Sequence, residues 1–167
     1  MLNNPQDYSY EKIQNMITNL PKTEQQIAAL AYGTGSRVSE LNQIKKININ
    51  QDNKYMRITC SVLKKRKTNI SRLALIRLDE EWLIKPIQEL LIGKQDEEIL
   101  LPFHRVTIYR KLVASMSINP HGFRKLRATH LVIKFGFNGQ QLKTFFDWSR
   151  SDMADNYVKL NTKNIEY

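Results

Sequence analysis

His121 and Arg124 stand three residues apart in the segment NPHGFRK, directly after an Asn119–Pro120 pair that reads as a helix cap followed by the first helical residue. Both side chains then project from one side of a helix start, where the dipole favours an anion such as phosphate. His130, nine positions beyond His121, falls on the opposite face. Arg37 sits in GTGSRVSEL, behind the glycines Gly33 and Gly35 that free the backbone and three residues before Glu40, which can orient it. Tyr157 is one of seven tyrosines. Taken singly, each of these is an ordinary surface, loop or core residue.

The charge balance says what such groups would meet. The chain carries 26 Lys and Arg against 16 Asp and Glu, a net charge of +10 and a pI near 9.7. Residues 1–100 have a net charge of +3 and residues 101–167 of +7. Eight basic residues and no acid lie between 54 and 77: Lys54, Arg57, Lys64, Lys65, Arg66, Lys67, Arg72 and Arg77. A concentration of one sign fits a polyanionic partner, of which phosphate backbones are the commonest.

The elements that must position these groups follow from periodicity. With 167 residues, 41% apolar and 25% charged, and with no repeat or Pro/Gly/Ser linker, the chain reads as one compact domain. Residues 7–19 suggest a helix capped by Ser9 and closed before Pro21; residues 23–32 suggest a second, capped by Thr23 and stopped by Gly33 and Gly35. SRVSELNQI reads as a short third. From 47 to 77 the pattern becomes β-rich in three runs, INI, YMRITCSV and SRLALIRL, which predict a small three-stranded antiparallel sheet. After Asp79 comes a helix broken or kinked near Pro86, and then one over 105–117 facing inward through Val106, Tyr109, Leu112 and Val113. The Asn119–Pro120 helix runs to about Phe135 and stops at Gly136; QQLKTFFDW and a short SDMADNYVKL segment complete the set. The fold class is mainly α with one small sheet, α+β. No run approaches the roughly 20 apolar residues of a membrane span, and the N-terminus lacks a signal-peptide pattern, so a cytoplasmic setting is expected. The single cysteine, Cys60, can form neither an internal disulfide nor a multi-cysteine zinc site and is expected as a buried small hydrophobe.

Taken in order, the residues resemble the catalytic domain of the tyrosine recombinases, phage-type and archaeal integrases included. The resemblance covers about residues 20–160. It rests on Arg37 and Glu40 in GTGSRVSE, a Lys-rich hairpin, His121 and Arg124 in HGFR, and Trp148 and Tyr157 in WSRSDMADNY. It implies that the chain cleaves and rejoins DNA through a covalent 3′-phosphotyrosyl link, with Tyr157 as nucleophile, Arg37 and Arg124 as the phosphate clamp, and His121 and Trp148 as hydrogen-bonding groups. Glu40 would orient Arg37. No metal, ATP or other cofactor is implied.

The hairpin lysine that protonates the leaving 5′ oxygen has three candidates, Lys64, Lys65 and Lys67. Spacing ahead of Arg72 in the family points to Lys67, with Lys65 second. The remaining basic residues, Lys64, Lys65, Arg66 and Arg72 of the hairpin with Lys125 and Arg127 of the following helix, are expected to contact DNA phosphates. Trp148 stands where many members have His. About a hundred residues that commonly form a separate N-terminal DNA-binding domain are absent, so residues 1–167 read as a single catalytic domain, excised in preference to naturally minimal, with 158–167 as a tail that could dock on a neighbouring protomer. Double-stranded DNA and further copies of the chain on paired sites are the expected partners, without a membrane. A type IB topoisomerase-like enzyme and a noncatalytic DNA-binding protein of the same fold are the alternative readings.

Overall fold

The computed structural model describes the backbone of residues 8–64 and 67–165, and the side chains of residues 8–62 and 70–159. Eight helices and three strands follow one another within these residues: α1 (Tyr10–Thr18), α2 (Lys22–Thr34), α3 (Val38–Leu41), β1 (Ile49–Gln51), β2 (Tyr55–Lys64), β3 (Lys67–Arg77), α4 (Glu81–Leu91), α5 (Arg105–Met116), α6 (Pro120–Ile133), α7 (Gly139–Phe146) and α8 (Ser151–Ile165). This is the expected mainly helical α+β class. Helix α2 runs through the middle, with every residue from Ile27 to Thr34 buried, and it packs against α4, α5 and α6.

The sheet has the order β1-β2-β3, antiparallel throughout. Alternation decides its two faces: Met56, Ile58, Cys60 and Val62 of β2 and Arg72, Ala74 and Ile76 of β3 turn inward, while Leu73 and Arg77 remain exposed. Cys60 is buried and free. Pairing continues to Lys64 opposite Lys67, with an irregularity between Val62 and Lys64.

Several local signals act as the sequence suggests. Ser9 accepts a hydrogen bond from the Lys12 N–H and caps α1; Asn119 does the same for the Gly122 N–H at the start of α6, with Pro120 as first helical residue.

Others act differently. Helix α2 begins at Lys22 with Pro21 as its cap, so Thr23 lies inside the first turn. Gly33 does not stop it. A Cβ there would stand 2.6 Å from Ile76 Cδ1, so Gly33 serves the close approach of helix to sheet, and Gly35, at φ +62°, ends the helix. Helix α4 is continuous through Pro86. Helix α5 buries Ile108, Leu112 and Met116 and leaves Val106 and Tyr109 exposed, a stripe rotated from the expected one. Helix α8 extends from Ser151 to Ile165, longer than the short element expected, so residues 158–165 continue the helix.

Candidate active site

Arg37, Arg124, Trp148 and Tyr157 come from four places in the chain, and the local structure of each explains how they converge. The turn after α2 comes first. Thr34 and Ser36 are fully buried, and Gly35 adopts the left-handed conformation that ends the helix. A Cβ on Gly35 would lie 2.6 Å from Phe146 Cε1, so glycine is required there for both the turn and the contact. Arg37 follows, exposed, at the start of α3. Glu40, 1% exposed, accepts a hydrogen bond from the Arg37 N–H at 3.0 Å and lies 3.5 Å from its guanidinium. One carboxylate thus holds both the backbone and the side chain of Arg37.

Arg124 is one turn into α6 and 7% exposed. It donates to the Gly35 carbonyl at 2.8 Å, and its guanidinium carbon lies 4.8 Å from the centre of the Phe146 ring. The same turn thus presents Arg37 and receives Arg124. At the end of α7, Asp147 takes a positive φ of 54° and reverses the chain, placing Trp148 against Phe146 with ring centres 4.8 Å apart and planes within 16° of parallel. Tyr157, half-buried on α8, stacks on Trp148 at 5.8 Å with the same 16° between planes. A ladder therefore runs from Arg124 through Phe146 and Trp148 to Tyr157.

The electrostatics are those of a site short of negative charge. Burial, with Arg72 and Arg37 nearby, brings the Arg124 guanidinium down to about 10, still charged at neutral pH. Burial pushes the Tyr157 phenol up from its ordinary value while Arg124 pulls it back. His121, exposed at the first turn of α6, is held below the ordinary histidine range by partial burial and then by Lys125, Arg124 and Arg37. A neutral imidazole offers both a donor and an acceptor. Among the described residues no group of three or more His, Cys, Asp and Glu side chains is placed to hold a metal ion.

The expected DNA contacts divide. Lys125 is exposed on α6. Arg127 is 1% exposed, and its two terminal nitrogens donate to Glu80 at 2.8 and 2.9 Å, so it is a core residue and not a surface contact. Arg72 is 5% exposed on the inward face of β3, donating to the carbonyls of Phe145 and Thr34 and to the Ser36 hydroxyl. Neither arginine faces a ligand surface. The side chains of Lys64, Lys65, Arg66 and Lys67 lie outside the described residues. His130 is buried on the inner side of α6, as its spacing from His121 requires.

Sequence reasoning passed over Phe146 and the inward orientation of Arg72. The second had a signal, because Arg72 is in phase with Ala74 and Ile76 in the two-residue period of β3. A cavity of about 420 Å³ between β3, α6 and α7, lined by Leu73, Leu75, Leu131, Phe135 and Phe137, includes none of the six expected catalytic residues.

Comparison with known proteins gives three findings. The model of the phage integrase family matches residues 7–164. No individual curated sequence matches significantly. Among solved structures, the XerH site-specific recombinase bound to palindromic difH in a post-cleavage complex is 18% identical, with a TM-score of 0.67 over 93% of this chain and 49% of that one. The XerA recombinase is 18% identical, with a TM-score of 0.67 over 95% of this chain and 62% of that one. A lambda integrase dimer bound to a COC′ core site is 18% identical, with a TM-score of 0.59 over 90% of this chain and 47% of that one. At such identities the likeness is one of fold. The chain spans 47% to 62% of the length of these three proteins.

Proposed function

The chain belongs to the phage integrase family, and from that premise we propose that it is the catalytic unit of a site-specific DNA recombinase that cleaves and rejoins strands through a 3′-phosphotyrosyl intermediate. The observation that carries the reading is the convergence of Arg37 and Arg124 on one turn, with Tyr157 stacked through Trp148 and Phe146 against the same arginine.

A phosphodiester is anionic and repels an incoming oxygen until its nonbridging oxygens are neutralised. Arg37 and Arg124 supply that charge in preformed positions, which is where electrostatic catalysis is most effective. The Tyr157 oxygen attacks phosphorus, a new O–P bond forms, and the bond to the 5′ oxygen breaks. Phosphotyrosine keeps the ester, so a 5′ hydroxyl can reverse the step. The phenol begins protonated, and the arginine field lowers the cost of losing its proton. Neutral His121 hydrogen-bonds a phosphate oxygen and shares in proton handling, Trp148 donates through its indole N–H, and Lys67 protonates the leaving 5′ oxygen. With guanidinium groups carrying the charge, cleavage proceeds without divalent metal or ATP. Lys125 and the hairpin residues Lys64, Lys65 and Arg66 contact DNA phosphates. The partners are double-stranded DNA and further copies of the chain on paired sites; no helix among the described residues is long and apolar enough to cross a membrane.

The test is a nicked duplex that traps the covalent complex, followed by mapping of the labelled tyrosine. A chelator-resistant adduct at Tyr157 is expected. Adduct at another tyrosine, no adduct on any duplex containing a family-type core site, or a strict magnesium requirement for cleavage would overturn the reading. For the leaving-group role, a substrate with sulfur at the 5′ bridging position needs little protonation. Lys67→Ala is then slow on oxygen and restored on sulfur, and rescue of Lys65→Ala instead would move the role to Lys65.

A further inference from the structure

Arg72 is a buried cation held by dipoles. One guanidinium reaches three parts of the chain: its Nη2 donates to the Thr34 carbonyl at 2.6 Å and the Ser36 hydroxyl at 3.2 Å, and its Nη1 donates to the Phe145 carbonyl at 2.8 Å. Its carbon lies 5.5 and 5.6 Å from the rings of Phe145 and Phe146. Thr34 closes α2, Ser36 immediately precedes Arg37, and Phe145 and Phe146 end α7 just before Trp148. Arg124 binds the carbonyl between Thr34 and Ser36, that of Gly35. Two arginines from different elements therefore hold consecutive carbonyls of one turn, and both lie over Phe146.

The missing partner is as informative as the bonds. Buried guanidinium groups are ordinarily paired, because desolvating an isolated charge is costly. Among the described residues no carboxylate lies within ion-pair distance of Arg72 or Arg124. Arg37, Arg72 and Arg124 surround the turn with Glu40 as the carboxylate beside them. The cluster is therefore built with positive charge in excess, which an incoming phosphate discharges.

We propose that Arg72 is a positioning residue for strand cleavage: it locks the Thr34–Ser36 turn to the end of α7, so that Arg37, Arg124 and Trp148 meet, and it adds its uncompensated charge to the field at the scissile phosphate without touching DNA. The inference rests on the recombinase reading. It assigns a role to the fork itself, since acceptors met by two separate nitrogens suit planar guanidinium, whereas a lysine offers its donors from a single nitrogen.

The test is single-turnover cleavage of the nicked duplex by Arg72→Met, Arg72→Lys and Ser36→Ala, each read beside DNA affinity, the salt dependence of binding and the folded fraction. Per folded molecule, Arg72→Met is expected to cleave about 100-fold more slowly, Arg72→Lys about 10-fold, and Ser36→Ala, which removes one acceptor and spares the fold, about threefold. Affinity stays within about threefold and the salt slope is unchanged, whereas loss of a phosphate contact lowers that slope by about 0.9. A slope reduced by that amount overturns the proposal in favour of direct DNA contact. Unchanged rates per folded molecule in Arg72→Lys and Ser36→Ala overturn it in favour of a merely structural arginine, and these two variants decide the matter if Arg72→Met does not fold. Wild-type protein that forms no adduct overturns the recombinase reading itself, an outcome visible before any variant is compared.

Discussion

Arg124 and Arg127 are both buried on α6, three residues apart, and they enter opposite kinds of cluster. Arg127 belongs to a closed one. Glu80 takes both its terminal nitrogens, Tyr10 donates to the same carboxylate at 2.9 Å, the Trp82 indole donates to Tyr10, and the Tyr32 ring lies 5.0 Å from the guanidinium carbon. Burial works against the Arg127 charge, yet Glu80 holds its pKa above the ordinary arginine value. Arg124 belongs to an open one, with a carbonyl and an aromatic face for company and two further arginines nearby. Both sites pack arginine against rings. They differ in whether charge is balanced within the protein, and in the proposed recombinase that difference separates a group that holds the fold from one that takes a phosphate.

The strongest break in that comparison comes at the proposed nucleophile. Tyr157→Phe is expected to bind DNA as the wild type does and to yield no covalent adduct, scored by trapping on the nicked duplex; residual adduct would move the reacting oxygen out of the open cluster. Next come the two arginines. Arg127→Ala leaves Glu80 charged, buried and unpaired, which costs about 3–5 kcal/mol of stability, read by denaturant unfolding, with cleavage per folded molecule preserved. Replacing both partners by apolar residues, Arg127→Met with Glu80→Leu, recovers most of that loss. Arg124→Ala reverses the pattern: stability changes modestly, and cleavage loses on the order of 3 kcal/mol of transition-state stabilisation, with Arg124→Lys restoring part. A slow but stable Arg127→Ala, or an active and unstable Arg124→Ala, would erase the distinction.

The open cluster was the more legible of the two in sequence, because its members lie at short fixed spacings. The pairs Arg37 and Glu40, His121 and Arg124, and Trp148 and Tyr157 each report one element, and the resemblance joined them. The closed cluster gathers Tyr10, Tyr32, Glu80, Trp82, Arg127 and His130 from four helices and a helix cap, with Tyr10 and Glu80 seventy residues apart. No local pattern announces such a meeting, and on sequence alone Arg127 reads as a DNA contact. Turn and cap signals placed α1 and α6 well because Ser9 and Asn119 act within three residues of themselves. They misplaced the stop of α2, where Gly33 answers to Ile76 of a distant strand, and the face of α5, which packing against α2 and α3 decides.

Gly35 tests whether the open cluster depends on its turn. Alanine there meets both a left-handed backbone and Phe146 at 2.6 Å, so Gly35→Ala is expected to cost about 2–3 kcal/mol in stability. It is also expected to slow cleavage by the molecules that remain folded, since the displaced carbonyl holds Arg124. Full cleavage per folded molecule, measured against the unfolding midpoint, would show that Arg124 finds its place without this turn.

The finest test sets one histidine of α6 against the other. His130, in the closed cluster, donates from Nε2 to the Tyr8 carbonyl at 2.9 Å, and in the neutral ring its Nδ1 accepts from the Tyr32 hydroxyl at 2.7 Å. Burial, with Arg127 close by, brings its pKa down to about 4. An unfolded histidine titrates near 6.5, so between these values the unfolded chain binds more protons than the folded one, and stability falls as pH drops through that window and levels off above it. From pH 7 to pH 5 the loss is about 2 kcal/mol. His130→Gln keeps a donor and removes the titration; its stability is expected to vary less between those two pH values by that amount. His121 is also held low, but in the open cluster, where the proposed mechanism assigns its titration to the rate: the pH dependence of cleavage per folded molecule should survive His130→Gln and vanish in His121→Gln. A wild type equally stable at pH 5 and pH 7, or a rate profile that follows His130, would show that the two sides of α6 are not divided between holding the fold and doing the chemistry.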